Sequence, residues 1–519
     1  MGWLRWLITP LLAMLAQGAP FAAEPLLWFD GARLSLQAEQ AAALLADAGS
    51  HGLEPHEYEA DALAWEMVRA HAGGFDAAAR ATLDRRLTVA MERYLTDLHD
   101  GRIAIEQLPR GYVASKREPF DAGAALRAAL ADNRLQEAAR EAAPRFAQYE
   151  RLRVALAHYR TLAGHPAWTS SLPALPPGPR NSPPKLEAGQ PYAGVAMLRD
   201  RLIALGDLPA ATPPAALYDE TLAEGVRAFQ RRHGLTMDGV LGRATFAQLE
   251  VPPAARVRQL ELMLERLRWT PLMQGPRMVV INIPEFTLRA YEVQGERIVV
   301  RETMKIIVGK AMNTRTPLLV EQMRFIEFQP FWNVPPSIAR GEVVPRLRRD
   351  PAYWEREGFE FVVGGTVVTE LSAAMLDETV AGRARIRQRP GPKNALGDIK
   401  FVFPNNDNIY LHHTPAVSLF ARDRRDFSHG CIRVEQPVAL ALFVLQDRPD
   451  WTEARIRAAM SEGDSMTLRL AEPIPVVIAY GTAMVREGRA HFYDDIYGQD
   501  RRLDAALRQP RPALPAPLP

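Results

Sequence analysis

The chain has 519 residues, 47% hydrophobic and 24% charged, with 63 basic residues against 61 acidic and a formal charge of +2. That length is too great for one core and predicts about three or four domains. The near-balanced charge argues against a general nucleic-acid binder, and no stretch beyond the N-terminus is apolar for the ~18 residues an internal membrane span requires.

At the N-terminus, Arg5 precedes a mainly apolar run from Trp6 to Ala16, followed by small residues up to Ala23. A charged start, a short apolar core and a small-residue end predict a secretory signal peptide over 1–23. An uncleaved inner-membrane anchor is the other reading. Export would carry Cys431, the single cysteine, into an oxidising compartment, where a lone thiol is a liability unless buried or used.

Residues 24–169 carry helical spacing. Leu83, Leu87, Met91, Tyr94 and Leu98 share one helix face, and Gly101 after Asp100 predicts its stop. Ala41–Leu45 and Leu126–Val154 have the same texture. No chemistry is visible there, and the apolar stripes read as core. Between 170 and 191 prolines crowd at 173, 176, 177, 179, 183, 184 and 191, which predicts a semi-rigid linker.

Residues 192–251 read as three short helices, with glycines where turns need positive φ. In order, Leu198, Leu202, Leu205-Gly206, Ala228-Phe229-Gln230, Gly234-Leu235, Asp238-Gly239, Gly242 and Thr245 resemble the three-helix peptidoglycan-binding module. A plain helical spacer is the alternative. Residues 252–500 change texture. Strands are expected at 278–284, 287–291, 305–309, 325–328, 359–363, 399–403, 409–412, 466–470 and 475–480, with helices near Val438–Leu445 and Thr452–Met460. The fold class is therefore multidomain α+β: a helical region, a three-helix module and a β-rich domain. About 332–398 is too long for a connection and predicts an inserted capping subdomain, placed to act as a lid. The end, 501–519, closes on a proline-rich run and is expected to be disordered.

The chemistry lies in Tyr410–Val434, YLHHTPAVSLFARDRRDFSHGCIRV. A free thiol is only a few per cent ionised at neutral pH, so Cys431 needs an imidazole to act as a nucleophile. Strand alternation sets Ile409, Leu411 and His413 on one face and Tyr410, His412 and Thr414 on the other. The apolar face should meet the core, which makes His412 the better base and His413 a packed residue. Gly430 lets the backbone approach a ligand, and the Gly430 and Cys431 amides are candidates for an oxyanion site. Ser428 and His429 either brace the loop or hydrogen-bond near the thiol. Arg433 either holds a carboxylate or braces the loop through an internal salt bridge. Zinc ligation by His412, His413, His429 and Cys431 is a rival, though the spacing fits no common zinc pattern.

This segment resembles the signature of the L,D-transpeptidases, a histidine some twenty residues before S-H-G-C. WNVPP at 332–336, GPKNALGDIKF at 391–401 and YLHHTP at 410–415 are similar to the large Gram-negative branch, which has a helical scaffold region, a peptidoglycan-binding module and a capping subdomain. The resemblance implies that Cys431 is the nucleophile and His412 the proton acceptor and donor. It implies a pocket shaped by Tyr410, Ser428, His429, Gly430 and Arg433. Position 413, often acidic or small in that branch, is histidine here. The implied reaction takes peptidoglycan tetrapeptide stems, releases D-alanine and forms 3→3 cross-links between diaminopimelate residues in the periplasm, with no metal or cofactor. Implied partners are peptidoglycan stems, carbapenem-type β-lactams and other cell-wall synthesis proteins. A hydrolytic, carboxypeptidase-like protein or a non-catalytic wall binder is the alternative.

Overall fold

The computed structural model describes residues 25–103, 119–178, 182–270, 275–295, 297–312, 314–462 and 464–513. The expected signal peptide lies outside the described residues. No helix among them is long and apolar enough to cross a membrane.

The first core is helical. Ser35, Asp76 and Asp121 each accept a hydrogen bond from an amide three residues on, which caps the helices Leu36–Ala46, Ala77–Asp100 and Ala122–Ala131. Leu83, Leu87, Met91, Tyr94 and Leu98 form the buried face of Ala77–Asp100. That helix ends at Gly101, at φ +83°, where a Cβ would collide with Trp269 and Glu265. The Leu126–Val154 stretch falls into three helices, Ala122–Ala131, Leu135–Ala142 and Ala147–Leu162. Residues 24–169 do not close this core alone. Leu260, Met263, Leu264 and Leu267 of helix Pro253–Trp269, and Ala483, Val485, Ala490 and Phe492 of a late hairpin, are buried in it. Chain order assigns both pieces to the β-rich region, yet their apolar side chains find cover here.

The second core gathers Leu198, Leu202, Leu222, Val226 and Phe229 from the helices Val195–Ala204 and Glu220–Arg232, with Leu249 of Arg243–Glu250. The proline-rich stretch does not stand off as a spacer. Leu172 and Leu186 are buried in this core, Leu186 pairs with Leu241, and the Tyr192 hydroxyl donates to Pro173 O at 2.6 Å. Proline fixes φ without stopping the leucines between prolines from packing.

The third core lies inside a nine-stranded sheet. In chain order the strands are β1 (Arg277–Asn282), β2 (Thr287–Gln294), β3 (Arg297–Gly309), β4 (Leu319–Phe328), β5 (Ile399–Val402), β6 (Leu411–His412), β7 (Asp426–Ser428), β8 (Ile432–Val434) and β9 (Met466–Ala479). Their order is β7-β3-β8-β6-β5-β4-β9-β1-β2, and β2 pairs back onto β3, closing eight strands into a ring. Most pairs are antiparallel; β6–β8, β7–β3 and β9–β1 are parallel. The two strands expected at 466–470 and 475–480 are one, β9, irregular between Arg469 and Ile474. Ile306, Ile326, Phe328, Phe401, Leu411, Ile432 and Val434 are fully buried in its interior.

Between β4 and β5 the chain builds a separate four-stranded sheet from Trp332–Asn333, Phe359–Val363, Thr366–Val368 and Arg385–Gln388. It has its own core around Leu347, Trp354, Phe361 and Ile386.

The C-terminal stretch corrects an expectation. Gln499–Leu507 is a helix whose Leu503 and Leu507, four residues apart, are buried against Leu262 and Trp269. Beyond it, Arg511 pairs with the buried Asp97 at 2.5 Å and Arg93 donates to Pro512 O at 3.1 Å. In the sequence, that two-leucine face is short and is followed closely by prolines. Residues 514–519 lie outside the described residues.

Candidate active site

Strand alternation decides which side chains meet. Ile399, Phe401, Leu411, Ile432 and Val434 point into the sheet's core, so Lys400, Tyr410, His412, Cys431 and Arg433 share the opposite face. β6 and β8 run parallel, with Leu411 beside Ile432 and His412 beside Arg433. The same register sets Tyr410 beside Cys431. On the other flank Lys400 of β5 lies opposite His412.

Cys431 is a half-buried free thiol. Its Sγ lies 3.5 Å from Asn408 O, and the pairing of β6 with β8 sets Tyr410 beside it. Burial pushes the thiol pKa up, against the neighbouring Tyr410 and the positive charges of Lys400 and Arg433. Burial, then the adjacent sulfur, pushes the Tyr410 phenol up as well. A thiol held protonated in this way can attack only if a base takes its proton.

His412 is only 4% exposed. Its Nδ1 lies 2.5 Å from the carbonyl of His413, which assigns the proton to Nδ1 and leaves Nε2 as the acceptor. Burial, then the charge of Arg433, lowers its pKa to about 3, with the carbonyls of His413 and Leu396 working the other way. The imidazole is neutral across the physiological range. It shares a face with Cys431, but no hydrogen bond joins the two among the described residues. Beside Cys431 in the strand register stands Tyr410, whose ring packs edge-on against that of His412 at 5.8 Å. Sequence reasoning gave Tyr410 only a place in the pocket wall.

His413 is turned away from the thiol. Its Nδ1 lies 2.7 Å from Asp398 Oδ1, and its backbone packs so closely on Gly397 that a Cβ there would lie 2.8 Å from His413 Cβ. His429 is turned away too, with Nε2 2.6 Å from Glu342 Oε1 of the inserted subdomain. The zinc rival's four ligands are thus held by different partners. Ser428 braces the loop, donating to Cys431 O at 2.5 Å and accepting from the Gly430 amide at 3.2 Å. That corrects the two-amide oxyanion expectation. The Gly430 amide is engaged inside the loop, and of the two only Cys431's has no partner among the described residues. Gly430 sits at φ +119°, with room for a Cβ limited by Ile409 Cδ1 at 3.3 Å. Among the described residues, Arg433 makes no ion pair or hydrogen bond that would brace the loop. Its Nε is buried without a hydrogen-bond partner.

Three residues that hold this loop escaped the sequence reading. Thr314 Oγ1 donates to Ser428 O at 3.1 Å, Thr316 Oγ1 donates to Gly430 O at 2.7 Å, and the Thr316 amide donates to the Tyr497 hydroxyl at 3.2 Å. The available signal was Gly309, closing β3 just before T-R-T; a Cβ there would collide with the backbone of Thr314 and Thr316.

Residues 276–466, which contain every member of this face, match the family model described as "L,D-transpeptidase catalytic domain". This region is an L,D-transpeptidase domain. Residues 22–156 match the model described as "Scaffold domain", and 191–249 the one described as "Putative peptidoglycan binding domain". A Haemophilus influenzae protein named "Putative L,D-transpeptidase" is 31% identical over 250 residues, 48% of this chain and 49% of that one. The chain thus aligns with about half the length of that relative. Among solved structures, an L,D-transpeptidase of Xylanimonas cellulosilytica aligns with 59% of this chain and 100% of its own, at 16% identity and a TM-score of 0.18. A fused Zn-dependent amidase/peptidase/peptidoglycan-binding domain-containing protein of Clostridium acetobutylicum aligns with 57% of this chain and 100% of its own, at 12% identity and a TM-score of 0.17. Within the L,D-transpeptidase domain the four-stranded insertion meets the Ser428–Cys431 loop through Glu342 and His429. The peptidoglycan-binding module meets the stretch between His412 and Cys431: the Thr236 hydroxyl donates to Asp423 at 2.7 Å, and its amide donates at 3.2 Å.

Proposed function

We propose that this protein is an exported L,D-transpeptidase that uses Cys431 to move peptidoglycan stems in the periplasm. The sulfur attacks the carbonyl of the third stem residue, a diaminopimelate, in a tetrapeptide. The thiol proton passes to His412, the carbon–nitrogen bond breaks, and D-alanine leaves as its amine takes the proton. A side-chain amine of a second stem then attacks the thioester, giving a 3→3 cross-link and restoring the thiol. The Cys431 amide is the donor for the developing oxyanion. A thioester formed this way also makes Cys431 the target of carbapenem-type β-lactams.

The observation that carries this reading is the juxtaposition of Cys431, Tyr410 and a neutral His412 on one sheet face. The contact between Thr236 and Asp423 supports it, since it ties the wall-binding module to the segment joining base to nucleophile. The test is incubation with purified disaccharide tetrapeptide, with products resolved by mass. Cross-linked dimers and free D-alanine are expected. Tripeptide alone would make the protein an L,D-carboxypeptidase, and unchanged substrate would leave it a wall-binding protein.

A further inference from the structure

Buried arginines elsewhere in the molecule have partners. Arg201 pairs with Glu250, Arg232 with Asp207, Arg266 with Asp500 and Arg268 with Glu265. Arg425, which has no ion pair, is held instead by the carbonyls of Phe286, Ile306 and Arg422. Arg433 departs from this pattern. It makes no ion pair or hydrogen bond among the described residues, and its Nε is shut off from solvent. The other cation on its face, Lys400, is committed to Glu327 at 3.1 Å and lies over the Tyr410 ring at 4.4 Å. A half-buried guanidinium without an acceptor is costly to keep, and an anion that arrives with the substrate would meet that need.

We propose that Arg433 is the specificity residue that receives a free α-carboxylate on the leaving side of the scissile amide, an inference that rests on Cys431 being the nucleophile. Two residues of strand place the Arg433 Cα about 7 Å along β8 from that of Cys431, on the same face. When the leaving residue is the last in the chain, its carboxylate is joined to the attacked carbonyl only through one nitrogen and one Cα, about 4 Å away. The guanidinium spans that offset, and its planar fork matches a carboxylate in two parallel hydrogen bonds. The site would then select the terminal peptide bond and discriminate against amidated or extended peptides. The same cation beside the sulfur also favours thiolate, but that effect is common to every donor that meets the thiol.

The test is therefore a ratio. The intact enzyme, with Arg433→Gln and Arg433→Lys variants, is assayed on a stem peptide ending in D-alanine and on the same peptide ending in D-alanine amide. Wild type should favour the free acid at least ~30-fold in kcat/KM, the worth of one desolvated charge pair. Arg433→Gln should bring the ratio close to one, chiefly through KM, and Arg433→Lys should restore part of it. An equal rate for acid and amide in wild type overturns the inference without any variant, as does an Arg433→Gln enzyme that keeps the wild-type ratio. If wild type acts on neither peptide, the transpeptidase reading falls and takes this inference with it.

Discussion

At the junction between the helical core and the catalytic domain, Arg102, Arg266 and Arg268 are almost wholly buried, and each is met by a carboxylate, from Glu57, Asp500 and Glu265. Glu265 also accepts from the backbone amide of Arg102 at 2.6 Å. On the outer face of β6 and β8, His412 is buried and neutral, Cys431 is held protonated, and Arg433 has no ion pair or hydrogen bond among the described residues. One region meets each of these arginines with an internal carboxylate; the other offers Arg433 none among the described residues. Removing one partner from a satisfied buried pair costs far more than removing a group that had none. The contrast separates a part of the chain built for stability from a part built to receive something.

Substitutions in the two regions should therefore be felt in different measurements. On the open face, His412→Asn should keep the fold and remove the proposed proton acceptor, so kcat should fall roughly 10²–10⁴-fold with little change in Tm. At the junction, Glu265→Ala strands Arg268 and the Arg102 amide, and urea unfolding should show a loss of about 3–5 kcal/mol. The folded fraction of that variant should still react at Cys431. A loss of activity larger than the loss of folded protein would break the comparison.

The pH profile sharpens it. Burial lowers the folded pKa of His412 to about 3, so the base becomes protonated only at lower pH than an ordinary imidazole does. The acid limb of kcat/KM should then lie far below the ~6.5 of an unperturbed histidine, with no fall between pH 6.5 and 5. A half-loss near 6.5 would mean that the imidazole is solvated during catalysis. The smallest expected effect is also the most diagnostic. Arg433→Met should leave unfolding stability within about 1 kcal/mol of wild type, or raise it, because no internal partner is lost. A large destabilisation would show that Arg433 braces the loop after all.

The sequence was a good guide wherever periodicity met a single burial surface. The Leu83–Leu98 stripe, the helices of the 192–251 module and the alternation that set His412 apart from His413 all follow from side-chain spacing. It was a poor guide where cover came from a distant part of the chain. Helix Pro253–Trp269 and the hairpin with Phe492 complete the helical core, and no local pattern in either names that neighbour. Leu172 and Leu186 were hidden by the prolines around them, and Leu503 and Leu507 by the prolines after them. At the site, the sequence motif named the thiol and the imidazole. It could not show that Tyr410 stands beside Cys431 with its ring against that of His412, because that depends on the parallel register of β6 and β8. Nor could it show that Ser428 occupies the Gly430 amide, since that bond forms inside a turn fixed by Thr314 and Thr316 from another strand's end.

The central claim is that Cys431 carries the acyl group. Intact-protein mass spectrometry after exposure to meropenem, with peptide mapping, tests it most directly. The account predicts one covalent adduct per chain, located on Cys431 and absent from Cys431→Ala. No adduct on the folded wild-type protein, or an adduct that persists after Cys431→Ala, would contradict it.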